Sequence, residues 1–195
     1  MKVFLVFPVL LILIFGTPVF ADFEKGAAAA LRGDYATALE EWKPFAEQGD
    51  ASAQFNLGWM YRHGQGVIQD YKAAIKWYKL AAEQGHVEAQ QNLGSMYNLG
   101  RGVTQDYKAA LKWYQRAASQ GSFVAQYNLG NMYVQGNGVT QDNINAHRWW
   151  NIAASQGHEM AASFRKAVEK KMTTTQIEKA QLLALECMAR NYKGC

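Results

Sequence analysis

The chain has little of what marks the commoner chemical classes. Twenty Lys and Arg stand against sixteen Asp and Glu, far short of the concentrated basic footprint of a nucleic-acid binder. There are only two cysteines, Cys187 and Cys195, so at most one disulfide can form. The four histidines show no ligand spacing: His158-Glu159 begins a zinc-protease motif, but Ala162 occupies the place of its second histidine. Ser163-Phe-Arg-Lys166 has the S-x-x-K spacing of penicillin-recognising enzymes, yet S-D-N and K-T-G are both missing. Gly64-x-Gly66 and its copies lack the third glycine and the preceding strand of a nucleotide loop. No catalytic residue, metal site or cofactor is therefore expected. The one long apolar run, Val3 to Phe15, is shorter than the ~18 to 20 residues that cross a bilayer. With Lys2 before it and small residues after it, residues 1–21 read as an export signal cut after Ala21, with an uncleaved anchor as the alternative. The cut makes the remaining chain periplasmic or secreted, with no stable membrane insertion.

What the chain does have is a stretch that occurs three times. Asp50 to His86 recurs as Val87 to Ser122 and again as Phe123 to His158, with a shift of 36 residues. A period in the mid-thirties signals stacked two-helix units, each unable to bury its apolar face alone. Ala53, Leu57, Met60 and Tyr61 recur as Ala89, Leu93, Met96 and Tyr97, then as Ala125, Leu129, Met132 and Tyr133. Their spacing puts them on one face of a first helix, so they are core. Gly58, Gly94 and Gly130 sit inside that helix, where glycine costs about 1 kcal/mol against alanine. Three repetitions of that cost imply close approach by a bulky neighbour. Trp77, Trp113 and Trp149 are the candidates, each followed by an aromatic, Tyr78, Tyr114 or Trp150.

The second helix is expected to start at Asp70, Asp106 and Asp142, whose carboxylates can cap first-turn amides. Gly85, Gly121 and Gly157 are its stops. The intervening G-x-G-V loops should form a compact bulge pinned by the valine. The pattern A-x-x-x-L-G-x-x-Y-x-x-G-x-G-V-x-x-D, followed by K-A, W and A-A-x-x-G, resembles the Sel-one-like repeats, relatives of the tetratricopeptide repeats. The third copy departs after its aspartate, with Asn143 to Asn145 replacing Tyr-Lys-Ala. The resemblance implies an all-α fold, a right-handed α-α solenoid, and a scaffold role in envelope, secretion or signalling.

Both ends of the stack are expected to be atypical. Residues 22–49 read as a shortened repeat, with Phe23 to Leu31, a turn at Arg32-Gly33-Asp34, and Tyr35 to Gln48 carrying Pro44 inside a helix. Residues 159–195 read as a helical cap: Glu159 to Met172, then a long helix opened by the capping box Thr173-Thr-Thr-Gln176. Cys187 and Cys195 lie ~12 Å apart in an unbroken helix, too far to pair. If they pair, the helix must end between them, at Asn191 or Gly194. Export favours pairing over free thiols, and the Cys-x7-Cys spacing resembles that of secreted cysteine-rich members of the family.

On the first helices the positions facing away from the core change from copy to copy. Phe55, Trp59 and Arg62 become Gln91, Ser95 and Asn98, then Tyr127, Asn131 and Val134. In stacked helical-hairpin folds the first helices line the concave side, so these nine are the candidate binding surface for a protein or peptide partner, with exposed aromatics at both ends. A non-catalytic adaptor, working as a monomer, is the reading these features favour. Two others compete with it. One is a cell-wall or β-lactam-directed enzyme, which needs a nucleophile or metal constellation that the sequence lacks. The other is an envelope-polymer binder using the basic end: residues 164–195 carry seven basic and three acidic side chains, against three and six in residues 22–49.

Overall fold

The computed structural model describes residues 19–195, with side chains from Asp22 onward. The expected leader, residues 1–21, falls almost entirely outside the described residues. Those residues form ten helices and no strand. The amino-terminal unit is α1 (Val19–Leu31) and α2 (Tyr35–Glu47). Three full repeats follow as α3 (Ala51–His63) with α4 (Tyr71–Glu83), α5 (Val87–Leu99) with α6 (Tyr107–Ala118), and α7 (Phe123–Gln135) with α8 (Asn143–Ser155). α9 (Glu159–Glu169) and α10 (Thr174–Ala189) close the chain. None of these helices is long and apolar enough to cross a membrane.

The helix boundaries follow from their caps. Asp70 accepts from the Lys72 and Ala73 amides at 2.8 and 3.0 Å, Asp106 from Ala109 at 3.0 Å, and Asp142 from Ile144 and Asn145. Between the two helices of each repeat the chain turns at Gly64, Gly100 and Gly136, all left-handed. Gly66 then lies against the preceding unit: a Cβ there would stand 2.7 Å from the Tyr35 carbonyl oxygen. Val67, the expected pin, packs on the core cluster of that unit. The loop is closed from the other side by Gln69, Gln105 and Gln141, which donate to the Arg62, Asn98 and Val134 carbonyls at 2.8, 2.8 and 2.9 Å.

Each second helix packs against its own first helix and against the first helix of the next unit, from α1–α2 through to α9. This gives the right-handed α-α solenoid. The core is a set of four clusters, each drawing on neighbouring units. Leu57, Leu93 and Leu129 are at most 1% exposed; burying each contributes about 2 kcal/mol. The helix glycines meet a different aromatic from the tryptophans the sequence suggests. Gly58 faces Tyr78, Gly94 faces Tyr114 and Gly130 faces Trp150. The reason is helical phase: Tyr78 lies four residues after buried Ala74 and points into its own hairpin. Trp77 and Trp113, one position round, pack on the clusters of the preceding unit. Gly26 and Trp42 repeat the same close contact in the amino-terminal unit.

Buried glutamines stitch the units together. Gln54 donates to the Ala46 carbonyl of the preceding unit at 3.0 Å and accepts from Gln84 at 2.8 Å. Gln90 and Gln120 repeat this with Ala82, and Gln126 and Gln156 with Ala118. Their recurrence at identical positions of the three copies was the sequence signal for this ladder.

At the carboxyl end the arrangement differs from a further hairpin. α9 ends at Glu169, three residues before Met172, because Thr173 caps the next helix through a full capping box with Gln176. α9 takes the place of a first helix against α8, whereas α10 turns back and lies along α8. Its buried Ala184 and Cys187 join a cluster with Ala110, Tyr114 and Ile152. Cys187 and Cys195 are bonded, with Cα atoms 5.5 Å apart. The chain reverses between them through Asn191 and Tyr192 at φ 49° and 65°, followed by Gly194. Arg148 holds the Cys195 carbonyl at 3.0 Å.

Candidate functional site

All nine variable positions of the first helices are half-buried. The aromatics stand at both ends of the stripe, but each is covered on one side, because the residue at this position rests on the cap of the next first helix. Phe55 stacks on His86 with ring centroids 4.6 Å apart, and Tyr127 stacks on His158 at 4.5 Å. Both histidines are caps, with Nδ1 facing the amides of Ala89 and Ala161. In the middle repeat Gln91 does the same job by accepting from the Ser122 hydroxyl at 3.0 Å. Tyr127 is covered further by Phe164 of α9 at 5.7 Å. Trp59 lies between Tyr35 and His63, at 5.9 and 4.6 Å. Arg62 reaches the next unit, donating to Asn92 Oδ1 at 2.5 Å.

The open part of the stripe is polar. Among the described residues, the side chains of Asn98 and Asn131 make no hydrogen bond with the protein. Ser95 lies beside the Tyr114 hydroxyl, and burial pushes the Tyr114 and Tyr78 phenols up to about 12. Val134 borders a small apolar hollow of about 150 Å³ with Trp150, Phe164 and Lys171.

A larger hollow of about 480 Å³ opens at the amino-terminal end. Phe55 and Trp59 of α3 form one wall, Tyr35 and Trp42 of α2 belong to the floor, and Ala30 and Leu31 of α1 form the low side. It exists because α1 presents alanines where the later first helices carry larger side chains. Of the predicted nine residues, Phe55 and Trp59 meet here; Arg62 lies on the same helix outside the lining, and the other six lie in the two following repeats.

The motifs set aside on sequence grounds gain nothing from the fold. Ser163 and Lys166 are both exposed on α9. Among the described residues no group of three or more His, Cys, Asp or Glu is placed to hold a metal. One polar cluster stands apart. His147 is fully buried, and its Nε2 lies 2.8 Å from Glu169 Oε1, while Arg165 reaches Glu169 and donates to Asn151. Burial holds the His147 pKa below its ordinary value. His147 Nδ1 has no partner, and the cluster couples α8 to α9 without opening into either hollow.

A Sel1 repeat family model matches residues 51–86, 87–122 and 124–158. The chain is similar to a solved Sel1 repeat protein from Oxalobacter formigenes, with 44% identity and a TM-score of 0.61 over 67% of this chain and 98% of that one. It is also similar to a protective antigen of uropathogenic Escherichia coli strains that displays an SLR fold, at 29% identity and a TM-score of 0.55. That match takes in 89% of this chain, which spans 46% of the antigen. No curated protein matches the chain. The three repeats account for more than half of the residues, and their hairpins stack as the repeat pattern requires: the chain belongs to the Sel1 repeat family.

Proposed function

We propose that the chain is an exported, non-catalytic scaffold of the cell envelope, periplasmic or secreted, that holds a protein or peptide partner on the face of its first helices. Sel1 repeat proteins generally mediate protein–protein interactions. The observation that carries the reading is a division of labour within each repeat. The capping aspartates of the second helices, the buried glutamines and the loop glutamines recur unchanged and hold the hairpins and their stacking, whereas the first-helix face varies and leaves Asn98 and Asn131 without protein partners among the described residues. A face with varied polar groups beside half-covered aromatics suits a few anchors within a polar rim. The apolar run at Val3 to Phe15 supports export.

The test is affinity capture from envelope extracts with wild type beside an Asn98→Arg, Asn131→Arg variant. Neither side chain holds the fold, so the variant should melt with wild type and lose its main partner at least tenfold. Equal capture by both proteins contradicts the reading. Turnover of a cell-wall or β-lactam substrate by pure protein would replace it with an enzyme.

A further inference from the structure

We propose that the amino-terminal hollow seats an apolar side chain of a partner segment whose flanks are basic. This rests on the scaffold reading and gives the partner a chemistry. The hollow has the size and composition of an anchor pocket: about 480 Å³, walled by Phe55 and Trp59, with Trp42 beneath. The Trp42 indole N–H is already taken by the Phe23 carbonyl at 3.2 Å, which leaves the Asn56 amide and the Tyr35 hydroxyl as the polar groups of an otherwise apolar lining.

The surroundings extend the apolar character outward. Leu31, on the rim, is 90% exposed, and Ile68 is 91% exposed, the two highest values among the large hydrophobic side chains of the described residues. Ile68 belongs to the loop whose Gly66 rests on Tyr35, itself part of the hollow. The same loop position is Thr104 and Thr140 in the next two repeats, so the apolar loop tip is confined to the unit that has the hollow. Exposed apolar groups gathered at one place mark an interaction site where scattered ones do not.

Charge fixes the flanks of the occupant. The unit that builds most of the hollow, residues 22–49, carries six acidic and three basic side chains. Lys25 is bound to Glu41, and Lys43 lies 4.0 Å from Glu47. Asp22, Glu24 and Glu40 are exposed and unpaired among the described residues, as is Arg32 on the basic side. The smaller hollow at the other end is lined by Lys171 and sits in the basic part of the chain. A segment with an apolar anchor and lysines on either side is attracted to the first hollow and repelled from the second.

The probe is a labelled peptide, Lys-Lys-Gly-Leu-Phe-Leu-Gly-Lys-Lys, titrated against the protein as the cell accumulates it, with a Glu-flanked copy as control. The Lys-flanked peptide should bind at least tenfold tighter than the control, and about 0.5 M salt should erase most of that preference. Ala30→Trp, which fills the hollow, should weaken binding at least tenfold without lowering the melting temperature. Leu31→Ser, a change at an exposed position, should weaken it a few-fold. No binding, equal binding of both peptides, or binding that survives Ala30→Trp overturns the proposal. Concentration-dependent self-association that Ala30→Trp abolishes also overturns it, since the occupant is then a second copy of the chain. An Asn98→Arg, Asn131→Arg protein that still binds the peptide but captures no envelope partner would retain the hollow and reject the wider face. The reverse pattern would reject the hollow alone.

Discussion

The junction of α6 with α7 and the junction of α8 with α9 occupy the same place in the 36-residue frame but are made of opposite materials. At the first, Leu111 and Tyr133 pack on one apolar cluster. Shifted by one period they become His147 and Glu169, hydrogen-bonded at 2.8 Å with the histidine fully buried. The repeat scaffold thus accepts a polar pair for an apolar one when both partners change together. A buried pair of this kind is weak evidence for stability, since desolvation offsets the attraction, while loss of one partner is expensive. The last junction is therefore the one where a buried titratable pair should make stability respond to pH and to loss of either partner. The junction of α6 with α7 has no such pair among the described residues and should respond to loss of apolar volume and of the Gln126 hydrogen bonds.

The largest expected effect is at an inner junction. Leu93→Ala empties a fully buried site and should lower stability by about 3 kcal/mol, read as a shifted urea midpoint. At the last junction, His147→Leu alone should cost about 2 kcal/mol because Glu169 loses its 2.8 Å hydrogen bond and keeps only the longer contact with Arg165 at 3.6 Å. The double change His147→Leu, Glu169→Tyr copies the inner junction and should recover most of that loss. A double variant no better than the single one would show that the two junctions are not interchangeable.

A smaller effect follows from titration. The folded-state pKa of His147 is lowered, mainly by burial, so the unfolded chain takes up a proton first as pH falls. Stability from this group is complete above the unfolded value of about 6.5 and is lost as pH drops below it. His86 is lowered for the same reason. Wild type should lose stability between about pH 7 and pH 5, and the double variant should lose less over the same window. Identical pH profiles would remove His147 from the account. Smallest of all, Asp106→Ala deletes a helix cap and should cost about 1 kcal/mol at any pH near neutrality.

The inner junctions were the legible part of the sequence. The repeated Ala-Leu-Met stripe, the capping aspartates and the G-x-G-V loops specify helices whose ends and buried faces match the structure closely. The glutamine ladder was missed: Gln54, Gln90 and Gln126 carry the same internal copying, but a polar residue beside the apolar stripe does not announce its burial or which carbonyl it reaches. Which aromatic meets Gly94 was harder to read, since Trp113 and Tyr114 are adjacent and differ only by 100° of helical phase. The return of α10 onto α8 left no periodic signal, because it depends on the Cys187–Cys195 bond and on Arg148, which occur once. At the candidate site, the variable positions could be found by comparing copies. Their half-burial could not, because Phe55 and Tyr127 are covered by the cap residues of the following repeat.

Site-specific photo-crosslinking in the producing cell tests the partner-binding face most directly. A photoreactive side chain at position 98, on the first-helix face, is compared with one at position 112, exposed on the outer side of α6. A scaffold that binds through its first helices gives a discrete protein adduct from position 98 and none from position 112. No adduct at 98, or equal adducts at both positions, would contradict it.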